Sequence, residues 1–450
     1  MTLFPDPDFP DNPSRADLEK LSRLAGVPLE KLVALSSERD PFLAGTPMHE
    51  RDAARFMALV EFLHETTGEN PEMGLRDLHY ALLNTNAPYM ASEWQWLLSA
   101  SGSARDLNLI EPWAFPDERT QALLDSRRGE GFEIEYAITK PMFFVPTEAQ
   151  VTEVEAKGFS SLLAQPVRVL ACMEKDSEGL RGEVLGPCYA AGVELRVTIG
   201  FSPETLAARL VREALSDKRP LVVFLITDAD SAGEHMAVVT ARHLEHLAKH
   251  YDMRSIFVDR IALTLDQVQG IEKNIGKPIP LAPDVARDIG RVELNALPIF
   301  APGWLRGQVE QALESVTVEI EEPEVDVPEW LEEHLDKAKR IAGRVYEGVE
   351  GRLRYIEASA DDAIDGWEPE VPEIEVPEVD FDRDWILDTD RDYLTQLNAY
   401  RRHGAAHRDP EPLVLTERLC ACGCGESLAH MAVQARYLNG AHRHQHRRRT

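Results

Sequence analysis

An α/β fold centred on a parallel sheet is what this sequence predicts, and three observations predict it. Between residues 167 and 261, short β-rich apolar runs alternate with stretches of helical apolar spacing. Two of those runs, 167–173 and 221–227, are mainly apolar, as strands covered by helices on both faces are. Two of them end in carboxylates, at Glu174 and Asp228, the strand ends where open α/β sheets place their sites.

Taken from the N-terminus, residues 1–48 hold Pro-rich turns and one amphipathic pattern, Leu18, Leu21, Leu24, Leu29 and Leu32, which predicts a small helical pair without evident chemistry. Residues 49–150 form the next expected domain. Phe56, Leu59, Val60 and Leu63, then Leu75, Leu78, Leu82 and Leu83, keep helical spacing on either side of a breaker at 68–71, and a strand pair is expected at 132–138 and 142–145. The α/β domain covers 151–316, with strands at 167–173, 195–199, 221–227 and 255–261 and helices at 177–190, 203–215 and 233–250. Residues 317–412 carry two related Pro/Glu/Val stretches around a helical segment at 331–357, and their composition predicts a partly disordered linker or partner-binding arm. A small module at 413–450 closes the chain.

The 450 residues, 44% of them hydrophobic, suffice for a sizeable core in two or three domains. A net charge of -30 argues at first against nucleic acid, because phosphate contacts need Lys and Arg. Its distribution removes that objection. Residues 319–392 hold 26 acidic against 8 basic side chains, so -18 of the total lies in one segment. The end of the chain, residues 436–449, is basic and His-rich, suited to contact with nucleic acid or simply a solvated tail. No apolar run approaches the roughly 18 residues that span a bilayer, the N-terminus is unlike a signal peptide, and the five cysteines include three crowded near the end. A reducing, cytoplasmic location is the expectation.

Chemistry concentrates in VRVLACMEKD (167–176) and LVVFLITDADSAGEHM (221–236), each an apolar strand delivering carboxylates into a turn. Glu174 with Asp228 and Asp230 can converge on Mg²⁺, a hard cation that prefers oxygen ligands and stabilises charge on a phosphodiester. Acids in these places also cap helices, which is the competing structural reading.

These segments, with the intervening VTIGFSPET (197–205), resemble the Toprim domain of topoisomerase VI A subunits and the related meiotic break-forming transesterases. Upstream, GLRDLHYALL (74–83) is similar to the tyrosine-bearing segment of that family's winged-helix domain, and SARDLNLIEPWAFPDERT (103–120) to stand-alone relatives from mobile elements. Downstream, DRIALTLDQV (259–268) and GRVELNAL (290–297) resemble the end of such Toprim regions. The likeness spans residues 50–315. It implies a winged helix followed by a Toprim domain, with Tyr80 as the nucleophile of a 5′-phosphotyrosyl link and Arg76 as its phosphate-stabilising partner. It also implies Glu174, Asp228 and Asp230 as Mg²⁺ ligands, a homodimer sharing its sites, and double-stranded DNA as substrate. Ser231 stands where the family has Pro, and His79 precedes the tyrosine in place of another aromatic. Tyr80 also has the spacing of a packed core aromatic. No ATPase module is recognisable, so a full topoisomerase cycle would require a separate partner. Two rivals remain: a Toprim nuclease that activates water without a covalent intermediate, and a non-catalytic DNA-binding protein.

A second constellation, CACGCGESL (420–428) followed by ARYLNGAHRHQH (435–446), offers Cys420, Cys422, Cys424 and His442 as the S₃N set that structural Zn²⁺ favours. The tight spacing leaves open that one thiol is excluded, that His444 or His446 replaces His442, or that the cysteines are incidental. With the basic tail, a zinc module would act as an accessory nucleic-acid clamp. His235, His243, His246 and His250 are expected on a helix surface, and Cys172 in a buried strand.

Overall fold

The computed structural model describes residues 13–36, 40–68, 73–115, 121–124, 136–138, 154–156, 165–198, 203–217, 219–253, 255–279, 292–319, 328–333 and 377–403, together with 420–422, 424, 439, 441–442 and a few isolated positions. The chain forms two compact units, one of residues 1–125, 167–316 and 381–450 and the other of 126–166 and 317–380. This grouping cuts across the expected 317–412 segment, whose last part belongs to the first unit.

In the first unit, Ser14 opens α1 (Arg15–Ala25) through a capping box with Asp17, and Gly26 closes it in the left-handed region at φ 67°. Three more helices follow: α2 (Pro47–Thr67), α3 (Leu75–Leu83) and α4 (Trp94–Asp106). They enclose a core that holds Phe56, Leu59, Val60, Leu63, Leu78 and Leu82, as their spacing predicts, together with Leu97 and Ala100, while Leu83 of the same pattern is exposed. Every element described between residues 15 and 106 is helical, and β1 (Gln121–Leu124) joins the edge of the main sheet.

That sheet has six strands, in the order β1, β5 (Glu194–Val197), β4 (Arg168–Met173), β6 (Leu221–Ile226), β7 (Ile256–Ala262), β8 (Leu387–Asp388). The four central strands run parallel, and β1 and β8 close the two edges antiparallel. All residues of β4, β5, β6 and β7 are buried; β6 reads as an unbroken apolar run, while β4, β5 and β7 also bury Arg168, Glu194, Arg196, Asp259 and Arg260.

The helices divide between the faces as right-handed crossovers require. From β4 the chain steps one way through α5 (Glu178–Ala191) to β5, then reverses through α6 (Pro203–Ser216) to β6 and continues through α7 (Ser231–His250) to β7. On one face α6 and α7 cover Leu170, Cys172, Val223, Leu225 and Val258, joined by Leu18, Leu21 and Leu32 to Leu35 from the N-terminal segment. The leucines of the expected independent pair are thus part of the α/β core. After α8 (Leu265–Ile275) and a short turn of helix, α9 (Leu297–Phe300), α10 (Trp304–Glu314) packs on α5 and β7.

The end of the segment expected to be partly disordered returns to this sheet. β8 pairs with β7, Trp385 is fully buried and stacks on Phe224, and α11 (Tyr393–His403) places Tyr393, Leu397 and Tyr400 in the core. The reason is local: Trp385, Ile386 and Leu387 supply enough apolar surface to dock despite the acids around them.

A buried polar network holds these pieces together. Arg242 on α7 donates to both Asp40 carboxylate oxygens at 3.1 Å and to Glu245 at 2.6 Å, and its guanidinium lies 3.7 Å above the Phe42 ring. Tyr393 and Tyr400 of α11 bond into the same network at Leu32 and Glu245. At the other end of the sheet, Arg168 and Arg196 share Glu194 and Glu213.

In the second unit, β2 (Tyr136–Ile138) pairs antiparallel with β3 (Val154–Ala156), not with the expected strand at 142–145, which lies outside the described residues. Gln165 exchanges hydrogen bonds with the backbone of Val318. The helical segment expected at 331–357 lies mostly outside the described residues. No helix among the described residues is long and apolar enough to cross a membrane.

Candidate functional site

Adjacent strands β4 and β6 send their helices to opposite faces, which opens a crevice at their carboxyl ends, the position where sheets of this type bind ligands. Glu174 follows β4 directly, and Asp228 and Asp230 follow β6. The backbone N–H of Asp228 donates to Glu174 Oε2 at 3.0 Å, joining the two strand ends. Asp228 is almost wholly buried, and its Oδ1 accepts from the Leu294 N–H at 2.8 Å. Asp230 caps α7, accepting from the Gly233 N–H at 2.7 Å. The capping role thus holds for Asp230, and the structure draws Glu174 and Asp228 together as well.

Among the described residues two cations and two further acids lie close by, none of them expected as a site residue. Lys175 Nζ lies 3.1 Å from Asp228 Oδ2. Arg260 of β7 donates to the Asp228 carbonyl at 2.9 Å and to the Leu263 carbonyl, and stands 3.9 Å from Glu234. A backbone bridge between Ala229 and Val292 brings the 292–294 segment alongside, so that Glu293 acts on Lys175. The one sequence signal was the segment GRVELNAL, whose pairing with Ala229 across some sixty residues leaves no local trace.

The electrostatics are those of an acid cluster short of positive charge. Burial pushes the Glu174 carboxyl above its usual range; the Asp228 N–H opposes this, and the carboxylates of Asp228 and Asp230 reinforce it. For Lys175 burial acts downward, but the hydrogen bond to Asp228 and the fields of Asp228, Glu293 and Glu174 outweigh it and hold the ammonium above its usual range. Among the described residues Glu174, Asp228 and Asp230 do not bring three ligand atoms within 4.8 Å of one another, so the structure joins Glu174 to Asp228 without the expected three-carboxylate set.

Tyr80 lies on the outer face of α3. Its neighbours Leu78 and Leu82 are buried while it is 60% exposed, so it is not the packed core aromatic its spacing allowed. Arg76, one helical turn earlier, is exposed on the same side. His79 sets its ring edge-on against Tyr80 and Trp94 and bonds through Nδ1 to the Tyr89 hydroxyl at 2.7 Å.

The second constellation forms a ligand set. Cys420, Cys422, Cys424 and His442 each place one donor atom within 4.8 Å of all the others, and among the described residues they are the one group of three or more His, Cys, Asp or Glu that does so. His442 Nδ1 lies 3.7, 3.3 and 3.4 Å from the three sulfurs in turn, and Cys420 and Cys422 are 3.3 Å apart. Bonds of ~2.3 Å to sulfur and ~2.0 Å to nitrogen place the donors of a tetrahedral Zn²⁺ roughly 3.4–3.8 Å apart, so the four residues can hold a metal ion such as zinc. No thiol is excluded despite the tight spacing. His444, His446 and most of the basic tail lie outside the described residues.

Two expectations on α7 are corrected. His243 and His246 are buried, because that helix is covered on nearly all sides. Burial, reinforced by His243, Arg242 and His250, holds His246 down to about 3, so it stays neutral. Cys172 is a core residue, its thiol pushed up to about 12 mainly by burial. No family model, curated protein or solved structure matches the chain.

Proposed function

We propose that the chain is a Mg²⁺-dependent DNA-cleaving enzyme of the topoisomerase VI A type, its α/β unit serving as a Toprim domain and its helical layer standing in for the winged helix. The observation that carries the reading is the meeting of Glu174 and Asp228 at the crevice between β4 and β6. With Asp230 they would hold the ion, which when bound supplies positive charge to the phosphodiester.

Tyr80 is the nucleophile in this reading. Its phenolic oxygen bonds to phosphorus, the bond from phosphorus to the 3′ oxygen breaks, the phenolic proton leaves to solvent or a base, and the 3′ oxygen takes up a proton. A 5′-phosphotyrosyl link results. An ordinary phenol titrates near ~10, so attack at neutral pH needs a cation, and Arg76, one helical turn away, would supply it. Two copies of the chain would share their sites and cut both strands, and the Cys/His module would bind Zn²⁺ and clamp DNA.

One observation favours a second reading. With only helices described between residues 15 and 106, the setting of Tyr80 lacks described wing strands, and a hydrolytic nuclease would need the acidic cluster alone. The test is to incubate supercoiled plasmid with Mg²⁺ and either the native chain or Tyr80→Phe, then denature and look for protein attached to cut DNA. Adducts that disappear in the variant are expected. Cutting without adducts establishes the hydrolytic reading, and intact DNA under all conditions points to a binding protein.

A further inference from the structure

We infer that the Cys/His cluster is a hydroperoxide-responsive metal site, in which Cys424 is the sulfur oxidised first and a disulfide from Cys424 to one of the two buried thiols releases the ion. The inference rests on the reading of these four residues as a Zn²⁺ site.

Three features of the chain carry it. The cluster is a built ligand set: the sulfurs of Cys420, Cys422 and Cys424 and one ring nitrogen of His442 all lie within 4.8 Å of one another. Asn439 Oδ1 accepts from the N–H groups of Ala441 and His442 at 2.9 and 3.2 Å, which fixes the turn that presents the imidazole. The three thiols also differ in access. Cys420 and Cys422 are each 3% exposed, whereas Cys424 is exposed, so a peroxide arriving from solvent meets Cys424 first. The other cysteines are set apart from such chemistry. Cys172 and Cys188 are buried, and burial pushes both thiols up to about 12, which keeps them protonated and unreactive. A bound metal does the opposite at the cluster, because it holds its sulfur ligands as thiolates, the nucleophilic form.

The step balances with a hydroperoxide as the oxidant. The Cys424 thiolate attacks the terminal oxygen; the O–O bond breaks, the sulfur is oxidised to a sulfenic acid, and the departing oxygen takes up a proton to give an alcohol, or water where the oxidant is hydrogen peroxide. A second thiolate then attacks the Cys424 sulfur, the S–O bond breaks, and hydroxide takes up a proton and leaves as water. Two thiolates have lost two electrons and the peroxide has gained them. Cys422 is well placed for the second attack, since its sulfur contacts those of both Cys420 and Cys424. The ion is left with one sulfur and one imidazole, half the set that Zn²⁺ requires, and dissociates.

The test uses the full-length, zinc-loaded chain and hydrogen peroxide in modest excess. Zinc release is read with a chromogenic zinc indicator, and the oxidised sulfurs are located by alkylating the remaining thiols and mapping peptides by mass spectrometry. The native chain is expected to lose its zinc, with Cys424 in a disulfide to Cys422 or Cys420 and with Cys172 and Cys188 still reduced, and to rebind zinc after reduction by a phosphine. Cys424→His keeps four ligands without the exposed sulfur and should release zinc at least ~ten-fold more slowly. Cys424→Asp serves as the second variant should Cys424→His not hold the ion, and peptide mapping of the native chain decides the order of oxidation without either. Zinc retained by the native chain under peroxide, zinc lost as fast from the variant, or oxidation confined to Cys172 and Cys188 overturns the inference while the metal site stands. A native chain that binds no zinc before peroxide is added overturns both.

Discussion

A methyl group at position 233 would meet the Asp228 carbonyl oxygen at 2.2 Å, far inside contact distance, and the Thr227 hydroxyl at 3.0 Å. Only glycine lets the first turn of α7 approach the strand end that carries the acids. Gly233→Ala should therefore push Asp228 out of place, lowering stability by ~1–3 kcal/mol and weakening Mn²⁺ binding together; denaturant unfolding with an unchanged midpoint would contradict this. Asp40 makes a different kind of contact, since it is the buried partner of a buried cation. Asp40→Ala removes one of the two buried carboxylates on Arg242 and the acceptor of the Ala34, Leu35 and Phe42 N–H groups, and should cost ~3–5 kcal/mol in the same measurement, whereas replacing the network by apolar residues should cost far less. The acids of the site were legible because each ends an apolar run. Lys175, Arg260 and Glu293 were not, because what places them is the pairing of β6, β7 and the 292–294 segment, and such pairing follows no local pattern.

Strand β5 and helix α6 are joined by charge through Glu213 as well as by packing. Burial alone would raise the Glu213 carboxyl, but Arg196, Arg168 and Arg209 prevail and hold it at about 2, below its ordinary 4.5. A depressed carboxyl stabilises the folded chain above pH 4.5, and that contribution fades as pH falls toward 2. It amounts to on the order of 3 kcal/mol. Unfolding free energy followed across that window should drop steeply in the native chain and more shallowly in Glu213→Gln; parallel slopes would show that the ionisation of Glu213 is not the cause. The parallel strands and the helices between them could be read within a residue or two of their ends, because short β-rich apolar runs alternate with helical spacing and a cap such as Ser177 marks the turn. β8 could not. It is two residues long and set among acids, and only docking against β7 makes it a strand.

At the scale of the molecule, the Cys/His cluster lies at the far end of the chain from the acidic crevice in sequence, and the two should be separable. A strong chelator, or Cys422→Ser, should remove one zinc per chain by elemental analysis while leaving the far-ultraviolet dichroism of the six-stranded sheet and its helices nearly intact. Loss of the whole dichroic signal would mean instead that the sheet depends on the metal.

The return of β8 and α11 to a sheet begun more than two hundred residues earlier makes the unit closed in space although the chain is linear. A ribosome must deliver residue 403 before the second edge of the sheet and the last partners of Arg242 exist, so the nascent protein carries an unfinished edge for much of its synthesis. Conversely, a single cut within 317–380 would yield two polypeptides that share one sheet and stay together until the sheet itself is unfolded.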